Sequence, residues 1–303
     1  MPEQILVALA KCASYGCPEL DQQIGSLLDN SSPKPAAGTR ILVKPNLLLA
    51  KELACTNPAV TAAVCKWLMD NGCKITIGDS PAFGSAQSVA RAISLCDELR
   101  KLGLAITPFN KTKKIALDIE GQKINIGIAA PALETDAIFS VARVKAHSQM
   151  RMTLCVKNCF GVVPGMRKAL LHALYGTERQ FFAYLISGIW RALPPVFAVL
   201  DGIVAMHITG PSNGAPYQLG LLGSSSSAPL LDNTILDILH INQESVPLAN
   251  CAPQNLQPCW PMLEPKDFHA DNFKTPVTLK SSSFNPLQLL KSCSKRFWKK
   301  LLN

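Results

Sequence analysis

The 303-residue sequence lacks the short motifs that assign a chemistry directly. It has no G-x-G-x-x-G, no G-x-x-x-x-G-K-[ST] and no G-x-S-x-G segment. Nicotinamide binding, P-loop nucleotide binding and a Ser-His-Asp hydrolase therefore have no local support. Its eleven cysteines include no C-x-x-C pair. This spacing predicts reduced, structural thiols rather than a disulfide framework, and the closest two, Cys155 and Cys159, are expected to be buried small hydrophobes.

The sequence also lacks a long apolar run and an even spread of charge. Its apolar stretch FFAYLISGIW stops well short of the roughly 20 residues that span a membrane. The segment ILVALA near the start has no basic region before it, so a secretory signal is not expected and the cytoplasm is the expected location. Six positive charges of the net +9 lie in 280–303, which contains no acid. The nearly neutral body is therefore not expected to bind nucleic acid.

Residues 39–80 have the pattern of a β-α-β unit. A β-branched strand at 39–46 precedes a helix at 57–72, with Asn57 as its N-cap, and a second strand at 74–80 follows at once. Such a unit predicts a parallel sheet with a right-handed crossover.

The later elements extend this pattern to an α/β fold with a largely parallel sheet, helices on both faces and an inserted β-hairpin. The hairpin is predicted around Glu120-Gly121. The fold is expected to occupy residues 1–245, followed by an irregular C-terminal extension at 246–303. Three further helices are predicted: one at 85–102, one from the VVPG turn to about Tyr175, and one at 177–193. The last of these has a capping box of Thr177 and Gln180. Two further strands are predicted at 136–142 and 195–202.

Polar residues cluster where the predicted strands end. The carboxyl ends of parallel strands share one edge of the sheet, and ligands bind beyond that edge. A shared polar cleft is therefore predicted there. The residues concerned are Lys44 and Asn46, Asp79 and Ser80, Arg143 to His147, and Asp201 and Gly202.

Lys157 and Asn158 lie inside the apolar run TLCVKNCFG, where a charged lysine needs a partner. Lys157 is either a general acid or base with a lowered pKa, or one half of a structural salt bridge to Asp79 or Asp201. Both interpretations stay open on the sequence.

Lys168 and His172 are one turn apart on the helix predicted after VVPG. A helix N-terminus with nearby lysines favours an anion such as phosphate or carboxylate. The alternative is that Lys168 is solvated and that His172 is a buried histidine with its hydrogen bonds satisfied.

Two carboxylates and two imidazoles offer a mixed ligand set for a divalent metal ion. They are Asp79, Asp201, His147 and His172, and they suit iron, manganese or zinc. The alternative is that Asp and His at strand ends serve as caps and loop anchors.

Several segments, taken in order, resemble the domain-of-unknown-function family 362, whose members are often described as iron–sulfur-associated. The core K-N-x-F-G-x-x-P-G, with a downstream Lys and His, is the specific part of the match. The matching segments are ILVKPNLL (41–48), TNPAV (56–60), GDSPAFG (78–84), VKAHSQMRMTLCVKNCFGVVPGMRKALLH (144–172), and LDGIVAM with GPSNGAP (200–216).

The resemblance implies that the polar cleft is the family's characteristic site. Many members carry a ferredoxin-type segment after the α/β domain, whereas here only Cys251, Cys259 and Cys293 follow. A bound iron–sulfur cluster is therefore not expected in this chain, and electron transfer would need a separate ferredoxin-like protein. Ala228 also departs from the family, which tends to have an acidic residue there, although Asp232 is kept.

The C-terminal segment 285–303 predicts a basic amphipathic helix with Leu290, Cys293, Phe297 and Leu301 on one face. Such a helix lies on an anionic membrane surface or docks an acidic partner. The alternative is a terminal helix packed on its own domain.

Together these observations predict an enzyme, with oxidoreductase as its candidate class, that binds a small anionic substrate and a divalent metal ion for redox or proton-transfer chemistry. The alternative is a non-catalytic metal or iron–sulfur accessory protein that transfers electrons. The expected roles are substrate binding for Lys44, Asn46, Lys145, Asn158 and Lys168, catalysis for Lys157, His147 and His172, and metal binding for Asp79 and Asp201.

Overall fold

The structure, a computed structural model, describes residues 3–82, 84–251, 253 and 255–280. The predicted C-terminal amphipathic helix lies outside these residues. In the described part of the chain, no helix has the length and apolar character needed to cross a membrane.

The described residues form ten strands and nine α-helices. The strands are β1 (Glu3–Lys11), β2 (Arg40–Pro45), β3 (Lys74–Ile77), β4 (Thr112–Ile119), β5 (Gln122–Ala129), β6 (Ala137–His147), β7 (Arg151–Thr153), β8 (Val196–His207), β9 (Ala215–Ser225) and β10 (Leu256–Cys259). The helices are α1 (Leu20–Ser31), α2 (Pro58–Asp70), α3 (Ala86–Ala92), α4 (Leu95–Lys101), α5 (Ala130–Leu133), α6 (Cys155–Asn158), α7 (Met166–Tyr175), α8 (Arg179–Arg191) and α9 (Ala228–Ile238).

Eight strands form one sheet in the order β10-β1-β9-β8-β6-β2-β3, with β7 paired to β6. The pairs β3–β2, β2–β6, β6–β8 and β1–β10 are parallel, whereas β9 is antiparallel to both β8 and β1. The remaining strands, β4 and β5, form a separate antiparallel hairpin. The prediction of a largely parallel α/β sheet with an inserted hairpin is therefore confirmed.

Helices cover both faces of this sheet because its central strands are apolar on both sides. Along β2, Ile41 and Val43 belong to the core under α1 to α4, and Leu42 between them belongs to the core on the other face. That second core is completed by residues of α6, α8 and α9. This alternation follows from the two-residue period of a strand.

The β-α-β unit forms as predicted, and its helix is capped as predicted. The side chain of Asn57 accepts a hydrogen bond from the backbone N–H of Ala59 at 2.9 Å, and Pro58 occupies the first turn of α2. The Asn57 side chain satisfies one of the unpaired N–H groups at the helix start, and Pro58 has no N–H that would need a partner.

Two helix predictions are wrong in detail. The helix expected at 85–102 is broken into α3 and α4, because Ser94 between them has the left-handed φ of 63°. The capping box of Thr177 and Gln180 does not form: α8 is preceded by Glu178 without a side-chain cap, and Gln180 donates instead to the Pro247 carbonyl.

Two strands are longer than predicted, which changes where the polar residues lie. β6 runs on to His147 and β8 to His207, so Arg143, Lys145 and Asp201 lie within strands rather than after them. The register of the two strands shifts between Arg143 and Lys145, an irregularity that redirects side chains at this edge. Within the predicted extension, β10 pairs with β1, while the domain boundary at 245 stays a prediction.

Candidate functional site

A buried ion pair joins the ends of two neighbouring strands. Lys44, near the end of β2, has its Nζ 2.8 Å from Oδ1 of Asp79, which follows β3. Lys44 is completely buried and Asp79 nearly so. The other carboxylate oxygen of Asp79 accepts the Leu47 backbone N–H at 2.7 Å, so the aspartate also fixes the chain after β2.

Asn158 of α6 ties this ion pair to the neighbouring strand β6. Its Oδ1 accepts from Lys44 Nζ and from Asn46 Nδ2, each at 3.0 Å. Its Nδ2 donates to the Lys44 carbonyl and to the Ser140 hydroxyl, each at 3.1 Å. These four partners of Asn158 lie close to the strand ends where the sequence predicts a polar cleft. The Asn158 amide thus makes all four hydrogen bonds of which it is capable.

Lys145 of β6 closes the network on its other side. Its Nζ donates to Asn46 Oδ1 at 2.5 Å and to the Ala54 carbonyl at 2.6 Å. Burial lowers the pKa of Lys145 to about 7, although the nearby Cys55 thiol group acts in the opposite direction. Lys44, Asn46, Lys145 and Asn158 are thus saturated by one another, which suits a supporting role beneath a ligand better than direct contact with one.

Lys168 anchors α7 to the loop after β3. Its ammonium donates to the Ser80 carbonyl, and the Ser80 hydroxyl accepts the Gly165 backbone N–H at 3.0 Å. The ammonium also lies 5.8 Å from the ring centroid of Phe160. Burial lowers the pKa of Lys168 to about 8, with Asp79 opposing this effect. The predicted alternative of a solvated Lys168 is therefore wrong.

Lys157 lies on α6, whose first turn is held by a buried carboxylate. Asp232 of α9 accepts the backbone N–H groups of Cys155 and Val156 at 2.8 and 2.9 Å. Burial lowers the pKa of Lys157 to about 7, and the positive charges of Lys145 and Lys168 lower it further.

The predicted salt bridge of Lys157 to Asp79 or Asp201 does not form. Asp79 pairs with Lys44, and the Arg143 guanidinium lies 3.6 Å from Asp201. Within the described ranges, the Lys157 side chain has neither a hydrogen bond nor an ion pair. Among the described residues, the charges that shift the pKa of Lys157 are those of Lys145 and Lys168.

Two imidazoles lie within range of the Lys157 charge. His147 accepts the backbone N–H groups of Gln149 and Met150 on Nδ1, at 3.1 and 3.2 Å. An acceptor at Nδ1 assigns the proton of the neutral ring to Nε2. Burial, and then the charge of Lys157, hold the pKa of His147 well below its usual value.

His172, the second imidazole, packs between two aromatic rings. Its centroid lies 5.4 Å from that of Phe160 and 4.6 Å from that of Phe182. Burial lowers the pKa of His172 to about 3, with further lowering by Lys157 and Lys168. At neutral pH both imidazoles are therefore uncharged.

The residues predicted to bind metal are held by other partners. Asp201 accepts the Tyr15 hydroxyl at 2.8 Å and the Asn57 backbone N–H at 2.9 Å. Among the described residues, no group of three or more His, Cys, Asp and Glu side chains could hold a metal ion. Asp79 and Asp201 therefore fit the alternative interpretation, in which they anchor loops.

Sequence reasoning missed three residues that organise the site. Ser140 lies inside the apolar strand β6, and its hydroxyl accepts from Asn158 and donates to the Cys155 carbonyl at 3.2 Å. The Thr56 hydroxyl links the Asn46 N–H to the Val141 carbonyl. Tyr15 reaches Asp201 from the first loop. No local pattern marks Ser140 or Tyr15, because their partners are distant in sequence, and Thr56 lies in the matching segment TNPAV without any sign of its hydrogen bonds.

Gly161 of the K-N-x-F-G core packs directly against the buried ion pair. A Cβ at this position would overlap the Asp79 carboxylate and the Lys44 ammonium. We expect Gly161→Ala to lower the free energy of unfolding by about 1–3 kcal/mol, the usual effect of overpacking. The check is urea unfolding beside Gly16→Ala, since a Cβ at Gly16 meets nothing within 4 Å. Equal stability of the two variants would contradict the close packing.

Comparisons with known proteins give the relationships of the chain. The family described as Domain of unknown function (DUF362) matches residues 41–237. A thylakoid-associated protein from Synechocystis sp. is 32% identical over 306 residues, which cover 96% of this chain and 94% of that protein. The lactate racemase apoprotein from Thermoanaerobacterium thermosaccharolyticum is similar with a TM-score of 0.49 and 13% identity, over 79% of this chain and 58% of its own.

The structural similarity is too slight to carry an argument, and this chain spans little more than half of that racemase chain. The family match, in contrast, covers more than half of the present chain and includes every site residue predicted from the sequence, from Lys44 to Asp201. The chain therefore belongs to the domain-of-unknown-function family 362.

Proposed function

We propose that this protein is an enzyme that binds a small anionic substrate beside Lys157 and transfers a proton to or from it. One observation carries the proposal: Lys157 has no counter-charge in the described part of the chain and lies within range of two further lysines and two neutral imidazoles. A site with this charge distribution is completed by an anion.

Electrostatics support an anionic ligand. Withdrawing an ammonium from water costs several kcal/mol unless a partner compensates it. Lys44 has such a partner in Asp79, whereas Lys157, which is partly exposed, is repelled by the charges of Lys145 and Lys168. A carboxylate or phosphate bound between Lys157 and Lys168 would neutralise both lysines, and the N-terminus of α7 adds a favourable dipole.

The protonation states support proton transfer. A lysine with its pKa lowered by burial to about 7 is present in both forms at neutral pH, so it is able to donate or accept a proton. His147 presents Nε2–H as a fixed donor, because its Nδ1 is occupied by two backbone N–H groups. In this scheme His147 and His172 orient the substrate, and Lys157 moves the proton.

The saturated network has a different part in the proposal. Lys44, Asn46, Lys145 and Asn158 fix α6 against β2 and β6 and so position Lys157. Within the described residues, no group of three or more His, Cys, Asp and Glu side chains could hold a metal ion. Metal-assisted chemistry, redox chemistry and the alternative of an accessory protein therefore stay predictions.

The test is calorimetric titration with inorganic phosphate and with acetate. We expect Lys157→Ala to weaken binding of the better anion at least about tenfold, or about 1.4 kcal/mol, while the protein stays folded. Lys66→Ala is the matched control, because it removes one positive charge from an exposed pair with Asp21. Its affinity should equal that of the unmodified protein.

Two results would contradict the proposal. Equal affinity of Lys157→Ala and the unmodified protein would exclude Lys157 as the anion-binding group. Global unfolding of Lys157→Ala, seen by circular dichroism, would assign Lys157 a structural role instead.

A further inference from the structure

Two cysteines lie on one turn in the loop between β1 and α1. Cys12 directly follows β1 and is buried, whereas Cys17 is partly exposed. The Cys12 thiol donates to the Ser14 carbonyl at 3.3 Å, and the Cys17 backbone N–H donates to the same oxygen at 3.3 Å. One carbonyl oxygen therefore accepts both the Cys12 thiol and the Cys17 backbone N–H, and this turn holds the two cysteines next to each other.

The pair differs from the other close pair of cysteines. Cys155 and Cys159 are both buried in the core, where an oxidant has no access. In the first loop, the Cys17 side chain is reached from solvent, and its thiol donates to the exposed Glu19 carboxylate at 2.7 Å. One accessible sulfur beside one buried sulfur is the arrangement of an attacking and a resolving cysteine.

We propose that Cys12 and Cys17 are a redox-active dithiol that exchanges with low-molecular-weight or protein disulfides. The Cys17 thiolate attacks an external disulfide, which forms a mixed disulfide and releases one thiol. The Cys12 thiolate then attacks the Cys17 sulfur, which closes the internal S–S bond and releases the second thiol. Two protein thiols are oxidised and one external disulfide is reduced to two thiols, with no other reactant.

The loop enclosed by this pair reaches the edge of the candidate site. Tyr15 lies between the two cysteines, donates to Asp201 at 2.8 Å and accepts the Val204 N–H at 3.1 Å. The Arg143 guanidinium lies 5.6 Å over the Tyr15 ring, and Arg143 is two residues from Lys145 on β6. Oxidation of the dithiol therefore constrains the segment that carries Tyr15, which contacts Asp201 and Arg143 at the edge of the candidate site.

The experiment equilibrates the full chain with glutathione buffers of increasing oxidised fraction, then alkylates the free thiols and digests with trypsin. The tryptic segment after Lys11 contains Cys12 and Cys17 and no other cysteine. As the oxidised fraction rises, we expect the doubly alkylated peptide to be replaced by a peptide without alkyl groups. The mass of this peptide should be two hydrogen atoms below that of the same peptide with two free thiols. The ratio of the two peptides should change about tenfold for every 30 mV, the dependence of a two-electron couple.

Two variants separate this outcome from general oxidation. Cys17→Ser should abolish the unalkylated form, and Cys96→Ser, which alters another partly exposed cysteine, should leave it unchanged. The proposal is overturned if the unmodified protein carries only glutathione adducts on Cys17, or if both thiols stay alkylated across the whole series. Neither result depends on what binds beside Lys157.

Discussion

Replacing Asp79 by alanine should lower the free energy of unfolding by about 3–5 kcal/mol, the effect of removing one partner from a buried ion pair. Lys44 would keep its burial and lose the carboxylate that lies 2.8 Å from its ammonium. The Leu47 N–H would lose its acceptor at the same time.

The measurement is urea unfolding followed by circular dichroism. Asp136→Ala is the matched control, since it breaks an ion pair with Arg40 in which both partners are exposed. Water and salt screen such a pair, so Asp136→Ala should lower the free energy of unfolding much less than Asp79→Ala does. Similar losses for the two variants would mean that the Lys44–Asp79 pair is not effectively buried.

A double variant isolates the ionic part of this effect. Lys44→Met combined with Asp79→Leu removes both charges, and we expect it to recover much of the stability lost in Asp79→Ala. If the double variant is as unstable as Asp79→Ala, the loss comes from packing and from the Leu47 N–H rather than from an unpaired charge.

Local sequence signals were sufficient for the part of the fold that carries the site. Asn57 and Pro58 mark the start of α2, and the two flanking β-branched runs mark β2 and β3. These signals depend on neighbouring residues only, so the order of elements and the parallel pairing follow from them. The break at Ser94 had no such signal, because nothing in its side chain requires a left-handed backbone.

Pairing within the site could not be predicted, because it depends on the order of strands. The sequence offers Asp79 and Asp201 as alternative partners for Lys157. The sheet places β2 between β3 and β6, which gives Asp79 to Lys44 and leaves Asp201, on β8, to Arg143. This arrangement leaves Lys157 without an acidic partner among the described residues. The apolar neighbours of Lys157 in the sequence could not indicate this, because they say nothing about the order of the strands.

Lys157 should make the stability of the protein depend on pH above neutrality. Burial lowers the pKa of Lys157 from its ordinary 10.5 to about 7, so between these values the unfolded chain binds a proton that the folded chain has released. The contribution of Lys157 to the free energy of unfolding therefore rises with pH in this window, by at most about 1.4 kcal/mol per pH unit. Lys145 and Lys168, whose pKa values burial lowers to about 7 and about 8, act in the same direction. Buried thiols with a raised pKa, such as that of Cys65, act in the opposite direction above about pH 9.

The comparison is urea unfolding of the unmodified protein and Lys157→Met at several values from pH 7 to 9. Burial raises the pKa of Asp232 to about 7, so this carboxyl group acts in the opposite direction just above pH 7, but it does so in both proteins and cancels in the comparison. We expect a shallower rise for Lys157→Met, with a difference of about 1–2 kcal/mol accumulated over the range. Parallel curves would show that Lys157 does not titrate in this window.

The same experiment with saturating phosphate connects stability to the proposed function. An anion bound beside Lys157 favours the charged ammonium and raises the pKa of Lys157 back towards its ordinary value. The folded chain then keeps its proton, so the pH dependence of the unmodified protein should approach that of Lys157→Met. Phosphate that stabilises both proteins equally, without changing either slope, would place the bound anion away from Lys157.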